Sequence, residues 1–377
     1  MGLTSYTFDR ALANRYLDLC FELYRRDDKW IPPLRRRVLR QFSPDFPFHR
    51  REGNAHRHFL ATSGGDPVGH VTAIVNGRLA DLDGIAVGAV SQFECVKDHA
   101  VAAELLTAAT DWLRTEHGRR RVWGPMQFDV WHGYRAMTRG FETMPFFGEP
   151  YNKRYYPGLF ERNGFAVRKR WNSVEISGRA ALERRLEDWA GDHARALADG
   201  YRFAPIKVGD SEHVQALHRV VADSYRNFLG MTPLDPDEFR DVFAAYAEIL
   251  DPRFTIGAWS ADGALCGFAI AYPDHARAVQ AMGGSDSVLA RIRFLLHART
   301  ATRAVFFMLG ITAEASTRRR GLGRALWHAC LRSLVAADFE SVIFALLSED
   351  SPAWQFLRDC RAEAQKEYVL FEANLGP

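Results

Sequence analysis

The sequence predicts an α/β protein of two domains, and three observations predict it. The chain has 377 residues, more than one small core requires. Apolar runs of strand length alternate with segments whose apolar residues recur at helical spacing. One strand–turn–strand pattern occurs in each half of the chain.

From the N-terminus, residues 11–24 have the spacing of an amphipathic helix. Residues 59–74 read as strand, tight turn, strand, with the hairpin dipeptide Gly64-Gly65. A strand through Phe93 leads into a helix over 100–115, striped by Leu105, Leu106, Ala109, Trp112 and Leu113. A polar-aromatic set follows, including Asp129, Trp131, His132, Tyr134, Asn152, Tyr155 and Tyr156. It reads either as the lining of an acceptor pocket or as core whose polar ends are satisfied. Leu182, Leu186, Trp189 and Ala190 recur at helical spacing, so 179–200 is expected to be a connecting helix rather than a flexible linker. The expected domains are therefore 1–178 and 201–377. In the second, a helix over 211–228 precedes a second hairpin pattern at 255–270, around Asp262-Gly263. Gly69 and Gly267 stand at the same offset after the two turns.

The C-terminal part carries the most specific signal. Residues 305–311 read as a buried strand and lead to Arg318-Arg319-Arg320-Gly321-Leu322-Gly323. Leu322, Leu326, Ala329, Cys330, Leu334 and Ala337 then form one helical stripe. A strand, a basic glycine loop and a helix make an anion site: backbone N–H groups at the helix start, close approach at glycine, and added positive charge. A Walker loop would need a longer glycine loop ending in Lys-Ser/Thr, and a dinucleotide loop would need a third glycine. What fits is Arg-x-x-Gly-x-Gly, through Arg318, Gly321 and Gly323. Further elements are a strand over 342–347, a short helix over 353–360 and a final strand over 368–371.

This unit resembles the pyrophosphate loop of the GNAT superfamily of N-acetyltransferases, and nearly the whole chain resembles bacterial tandem-GNAT proteins. The resemblance implies two tandem GNAT-like domains, each a mixed, mostly antiparallel sheet flanked by helices, with one splayed parallel strand pair. It implies acetyl-CoA, or another acyl-CoA, as cosubstrate. Ile311 and Thr312 would meet the pantetheine arm. Arg318, Arg319, Arg320, Gly321, Leu322, Gly323, Arg324 and Ala325 would surround the diphosphate. Ser351 and Trp354 would belong to the second cofactor segment. The first copy departs from the family, since no glycine or arginine lies between Phe93 and Ala100. The second copy has Ser351 where an Asn is usual, and Arg358 where many members place an acidic tyrosine (Phe160 in the first copy).

The chemistry implied is direct transfer of acetyl to a small amine. Glu314 is the carboxylate nearest the central strand and a candidate base; it reads equally as a solvated acid balancing Arg318. Asp274 is the second candidate, or else a turn residue after Pro273. Asp129, Trp131, Asn152, Tyr155 and Glu349 are candidate acceptor contacts. His328, within the helix, reads as packing rather than catalysis. A CoA-binding scaffold without turnover, a hydroxyl acceptor and a longer acyl chain are the alternatives.

Composition sets the outer limits. The five cysteines are scattered and form no C-x-x-C pair, so neither a disulfide framework nor a metal site is expected. Net charge is +3, which argues against nucleic acid as a partner. No apolar run has membrane-spanning length, and residues 1–6 lack a signal-peptide core. A cytoplasmic protein with no membrane partner is the expectation.

Overall fold

Strands and helices begin where the apolar period switches between two and 3.6 residues. The computed structural model describes residues 1–247, 249–318, 321–359 and 363–376. The chain divides into two units. Unit 1 takes residues 1–171, 275–299 and 366–377, and unit 2 takes 172–274 and 300–365.

Unit 1 starts with β1 (Gly2–Tyr6), α1 (Arg10–Tyr24) and α2 (Arg35–Gln41). The hairpin at Gly64-Gly65 joins β2 (Ala55–Ser63) to β3 (Asp66–Ala80), and β4 (Ala86–Cys95) leads into α3 (His99–Thr115). β5 (Arg121–Gly124), β6 (Ala136–Arg139) and α4 (Tyr156–Arg162) follow. β7 (Ala166–Ser177) comes next, and its residues 172–177 belong to unit 2. The sheet runs β1-β2-β3-β4-β5 and is antiparallel except for the parallel β4–β5 pair. The stripe expected on α3 is buried against it, from Leu105 to Leu113.

Unit 2 continues with α5 (Arg179–Ala198), β8 (Arg202–Pro205), α6 (Ser211–Ser224) and α7 (Pro236–Ala247). β9 (Thr255–Trp259) and β10 (Leu265–Pro273) are the second hairpin. The chain then returns to unit 1 for α8 (Ala276–Ala281) and α9 (Val288–Ala298). β11 (Arg303–Ile311), α10 (Ala313–Arg318), α11 (Leu322–Ala336), β12 (Ser341–Ser348) and α12 (Pro352–Asp359) complete unit 2. β13 (Lys366–Asn374) joins the unit 1 sheet, antiparallel to β5 and β6. The unit 2 sheet runs β7-β12-β11-β10-β9-β8. Its core lies beneath α11 and α5, where the Trp189 and Trp327 rings are 5.5 Å apart.

Two elements differ from the sequence expectation. Instead of passing from strand to loop, the chain forms α10 first, because Thr312 Oγ1 accepts the Ala315 N–H at 3.3 Å and starts a helical turn. α6 stops at Ser224 rather than 228. The Ser224 and Tyr225 hydroxyls are hydrogen-bonded to β11, which draws the chain out of its helix.

Candidate functional site

The central feature of unit 2 is a pair of parallel strands that separate. β11 and β12 are in register from Arg303–Ser341 to Phe306–Phe344, where the register ends. At that point Phe307 forms a bulge, since Phe306 faces Ala271 while Met308 faces Ile270. β11 stays paired with β10 as far as Ile311–Gly267. The Thr312 N–H donates to Cys266, so alternation turns the backbone of Leu309 and Ile311 towards the edge that β12 has left. The carbonyls of Leu309 and Ile311 accept from the Tyr225 hydroxyl and Ser224 Oγ, each at 2.8 Å. Met308, Leu309, Leu346 and Leu347 are only half-buried along this wedge.

Beside the wedge lies the start of α11. Gly321, its N-cap, has φ +95°, which a side chain rarely adopts. Among the described residues no side chain caps this helix. A Cβ at Gly321 would also run into the carboxylate of Asp192, within 2.9 Å of its Cγ. Asp192, on α5, accepts hydrogen bonds from Arg324 and Arg195. Burial pushes its carboxyl up, but those arginines outweigh burial and leave the pKa below the ordinary value. The Arg324 guanidinium also lies 4.1 Å over the Phe356 ring. A Cβ on Gly323 would meet Ile311 Cδ1 at 3.3 Å and Leu309 Cδ2 at 3.5 Å, so glycine brings the helix start against the wedge strand. The N–H groups of that first turn therefore stand next to the open edge of β11, an arrangement that suits a diphosphate followed by an extended amide arm.

Among the cofactor candidates, Gly321, Gly323, Ile311 and Thr312 meet at this place. Leu322 and Ala325 face the core. Arg318 is exposed and paired with Glu314 at 2.6 Å. Arg319 and Arg320 lie outside the described residues. Ser351 Oγ caps α12 by accepting the Trp354 N–H at 3.1 Å, and Trp354 is buried in the core.

Unit 1 repeats the plan with every opening filled. β4 and β5 pair in parallel only at Gly88–Val122 and Ala89–Trp123. At the end of β4, the Cys95 N–H donates to the Tyr156 hydroxyl at 2.9 Å, and the Cys95 carbonyl accepts from the Tyr155 hydroxyl at 2.7 Å. The start of α3 is capped by Asp98, which accepts from Ala100 N–H at 2.8 Å and Val101 N–H at 3.4 Å. A carboxylate thus stands where a phosphate would bind. The Tyr156 hydroxyl also donates to Glu94, whose carboxyl burial pushes up to about 7.

The acceptor candidates are held by local structure. Asn152 binds the backbone of Met137 through both its carbonyl and its amide. Asp129 accepts from the Trp131 N–H at 2.9 Å and from His132 Nδ1 at 2.8 Å, closing a turn. Glu349 lies in the exposed turn after β12. Glu314 is in the exposed first turn of α10. Asp274 binds Arg303 Nε at 2.7 Å and Nη2 at 2.6 Å, at the end where β11 and β12 are still paired rather than where they separate. His328 packs against His193 with the ring centroids 4.5 Å apart, and burial foremost, then His193, lowers its pKa to about 4.

Tyr225, Ser224 and Asp192 were not singled out from the sequence. Asp192 lies 132 residues before Arg324, and no local motif marks it. Tyr225 carried only the signal of a polar aromatic at the end of an amphipathic helix.

Residues 215–360 match the acetyltransferase (GNAT) family. The tandem GNAT protein of the clavulanic acid biosynthesis pathway has the same fold over 100% of this chain and 99% of its own, with a TM-score of 0.55 at 15% identity. Residues 215–360 are thus a GNAT domain, and the chain has the two-domain fold of that tandem GNAT protein. Among curated relatives in sequence, the bacterial ceramide synthase of Caulobacter vibrioides is 23% identical, over 84% of this chain and 82% of its own. Protein YghO of Escherichia coli is 24% identical, over 99% and 96%. GNAT proteins generally use acyl-CoA as cosubstrate, and the wedge and uncapped helix of unit 2 are suited to hold it.

Proposed function

We propose that this GNAT protein is an acyl-CoA-dependent N-acyltransferase whose donor site lies in unit 2. The observation that carries the reading is the separation of β11 from β12 after Phe306, beside the uncapped start of α11. The N–H groups of Gly323 and Arg324 would bind the diphosphate, and the edge of Leu309 and Ile311 would bind the amide arm. When bound, acyl-CoA supplies an activated thioester carbon. The chain supplies proximity, which contributes much of the rate, and backbone N–H donors for charge developing on the carbonyl oxygen.

In the reaction an amine N–C bond forms and the C–S bond breaks; nitrogen loses a proton and sulfur gains one. Tyr225 is the side chain we assign to the sulfur proton. Its hydroxyl donates to the wedge-facing carbonyl of Leu309, and it would take the role for which no tyrosine is present at Arg358. Glu314 lies just past the far end of β11, where Asp223 accepts the Ala313 N–H at 2.6 Å; the exposure of Glu314 and its pairing with Arg318 favour an electrostatic role over proton removal.

Acetyl transfer to a small amine is the simplest form of this reaction. A longer acyl chain and a lipid-like amine have one specific support: the half-buried apolar side chains along the wedge, together with the likeness to a ceramide synthase. Free-thiol release should be followed with acetyl-CoA and longer acyl-CoAs against small and long-chain amines. Turnover with any pair supports acyl transfer, and the preferred donor length decides between the two forms. Tight CoA binding without thiol release from any pair would leave a cofactor-binding scaffold.

A further inference from the structure

Helix α9 of unit 1 is amphipathic in the wrong sense for a helix in water. Only Ala290 is buried; Phe294 and Ala298 are half-buried on the same side. The opposite face carries Val288, Leu289, Ile292, Leu295 and Leu296, between 49% and 77% exposed. These five are nearly half of the large apolar residues exposed among the described residues. They recur at one, three, three and one positions and so form a single ridge. A contiguous apolar ridge of this kind marks an interaction surface rather than ordinary scatter.

The charge around the ridge indicates its partner. Within Val288–Ala298 there is no acidic residue, while Arg291 and Arg293 are exposed on the flanks and Arg299 follows at the C-terminal end. Beside the N-terminal end, a shallow hollow of about 450 Å³ is lined by Arg10, Arg35 and Arg36 together with residues 283–286. Arg36 pairs with Asp286 at 3.6 Å and Arg35 with Asp18, but α2 itself, Arg35–Gln41, contains four arginines and no acid. An apolar face edged by arginines complements a surface that is apolar inside and anionic outside. That describes the headgroup boundary of an anionic lipid bilayer, into which such a helix lies with its apolar side chains buried roughly 5–10 Å.

We propose that α9, with the arginines around it, docks unit 1 on anionic lipid membranes as an in-plane helix. No described helix is long and apolar enough to cross a membrane, so the attachment is peripheral. The proposal departs from the expectation of no membrane partner, and the vesicle experiment below tests between them. It needs neither the wedge nor the glycine loop, so it stands apart from the acyl-transfer reading.

The full chain should be sedimented with large unilamellar vesicles of equal parts phosphatidylcholine and phosphatidylglycerol, and with vesicles of phosphatidylcholine alone. The wild type is expected to sediment with the anionic vesicles and far less with the neutral ones. The double variant Ile292→Asp, Leu296→Asp changes only exposed side chains and should melt at the same temperature. Its binding should fall roughly tenfold or more, because two apolar insertions are lost and two repelled charges gained. Its CoA titration should be unchanged. A wild type that stays in the supernatant, or a folded double variant that binds as well as wild type, would overturn the proposal. So would sedimentation velocity showing a wild-type dimer that the variant dissolves, since the ridge would then belong to a second copy.

Discussion

Replacing Gly321 by alanine should separate cofactor binding from the stability of the rest of the chain. The backbone there has φ +95°, which costs an L-residue about 1–2 kcal/mol. The added Cβ would also enter the space of the Asp192 carboxylate, so Asp192 would have to give up part of its contact with Arg324 and Arg195. Loosening a largely buried ion pair adds roughly 1–2 kcal/mol, discounted because Arg324 is about one-third exposed. The sum, about 2–4 kcal/mol, exceeds what the loop can absorb unchanged. The relief available is for the first turn of α11 to unwind, which removes the N–H groups that face the wedge. The affinity for CoA in isothermal titration should therefore fall at least about thirtyfold, at 1.4 kcal/mol per factor of ten. Gly323→Ala has ordinary backbone geometry and meets only flexible side-chain ends at 3.3 Å and 3.5 Å, so its loss should be several-fold smaller. A folded Gly321→Ala protein that binds CoA as tightly as wild type would refute the assignment of the loop.

Three further outcomes are expected. Tyr225→Phe should lower kcat about a hundredfold with little change in KM, at a stability cost of about 1 kcal/mol; an unchanged kcat would remove Tyr225 from proton transfer. Unit 1 should be acid-labile: burial lowers His56 and His70 from 6.5 to about 4 and holds His58 well below its usual value, so the unfolded chain binds protons that the fold does not. Stability is then fully present above pH 6.5 and lost as pH falls towards 4, by up to about 2 kcal/mol per histidine near pH 5; a denaturation midpoint flat across that window would contradict it. Asp98→Ala should destabilise by about 1 kcal/mol through the lost cap of α3 without creating another CoA site, as a titration of the melted and folded fractions would show.

Most of the elements were legible because they rest on local periodicity. The stripe from Leu322 to Leu334, the α3 stripe and the two hairpins needed no long-range knowledge. The site was legible in part. Gly321 and Gly323 stand out because turn geometry and close approach leave a sequence signature. Asp192 and Tyr225 do not, since their roles arise from α5 and α6 packing on α11 and β11, far away in the chain. The same limit applies to β13, which the periodicity shows as a strand without showing that it joins unit 1, while α8 and α9 have no counterpart among the elements read from the sequence. Asp274 looked available because Pro273 placed it at a strand end; which end depends on the β10–β11 pairing with Arg303. The closed first copy was half legible: the missing glycines after Phe93 could be read, but not that Tyr155, Tyr156 and Asp98 fill the vacated positions.

The central claim is that one copy of the fold holds CoA and the other has filled its own site. Isothermal titration of the full wild-type chain with CoA tests this most directly. A single site per chain, lost on Gly321→Ala and kept on Asp98→Ala, is the predicted result. No heat of binding at millimolar CoA, or a second equivalent site per chain, would contradict it.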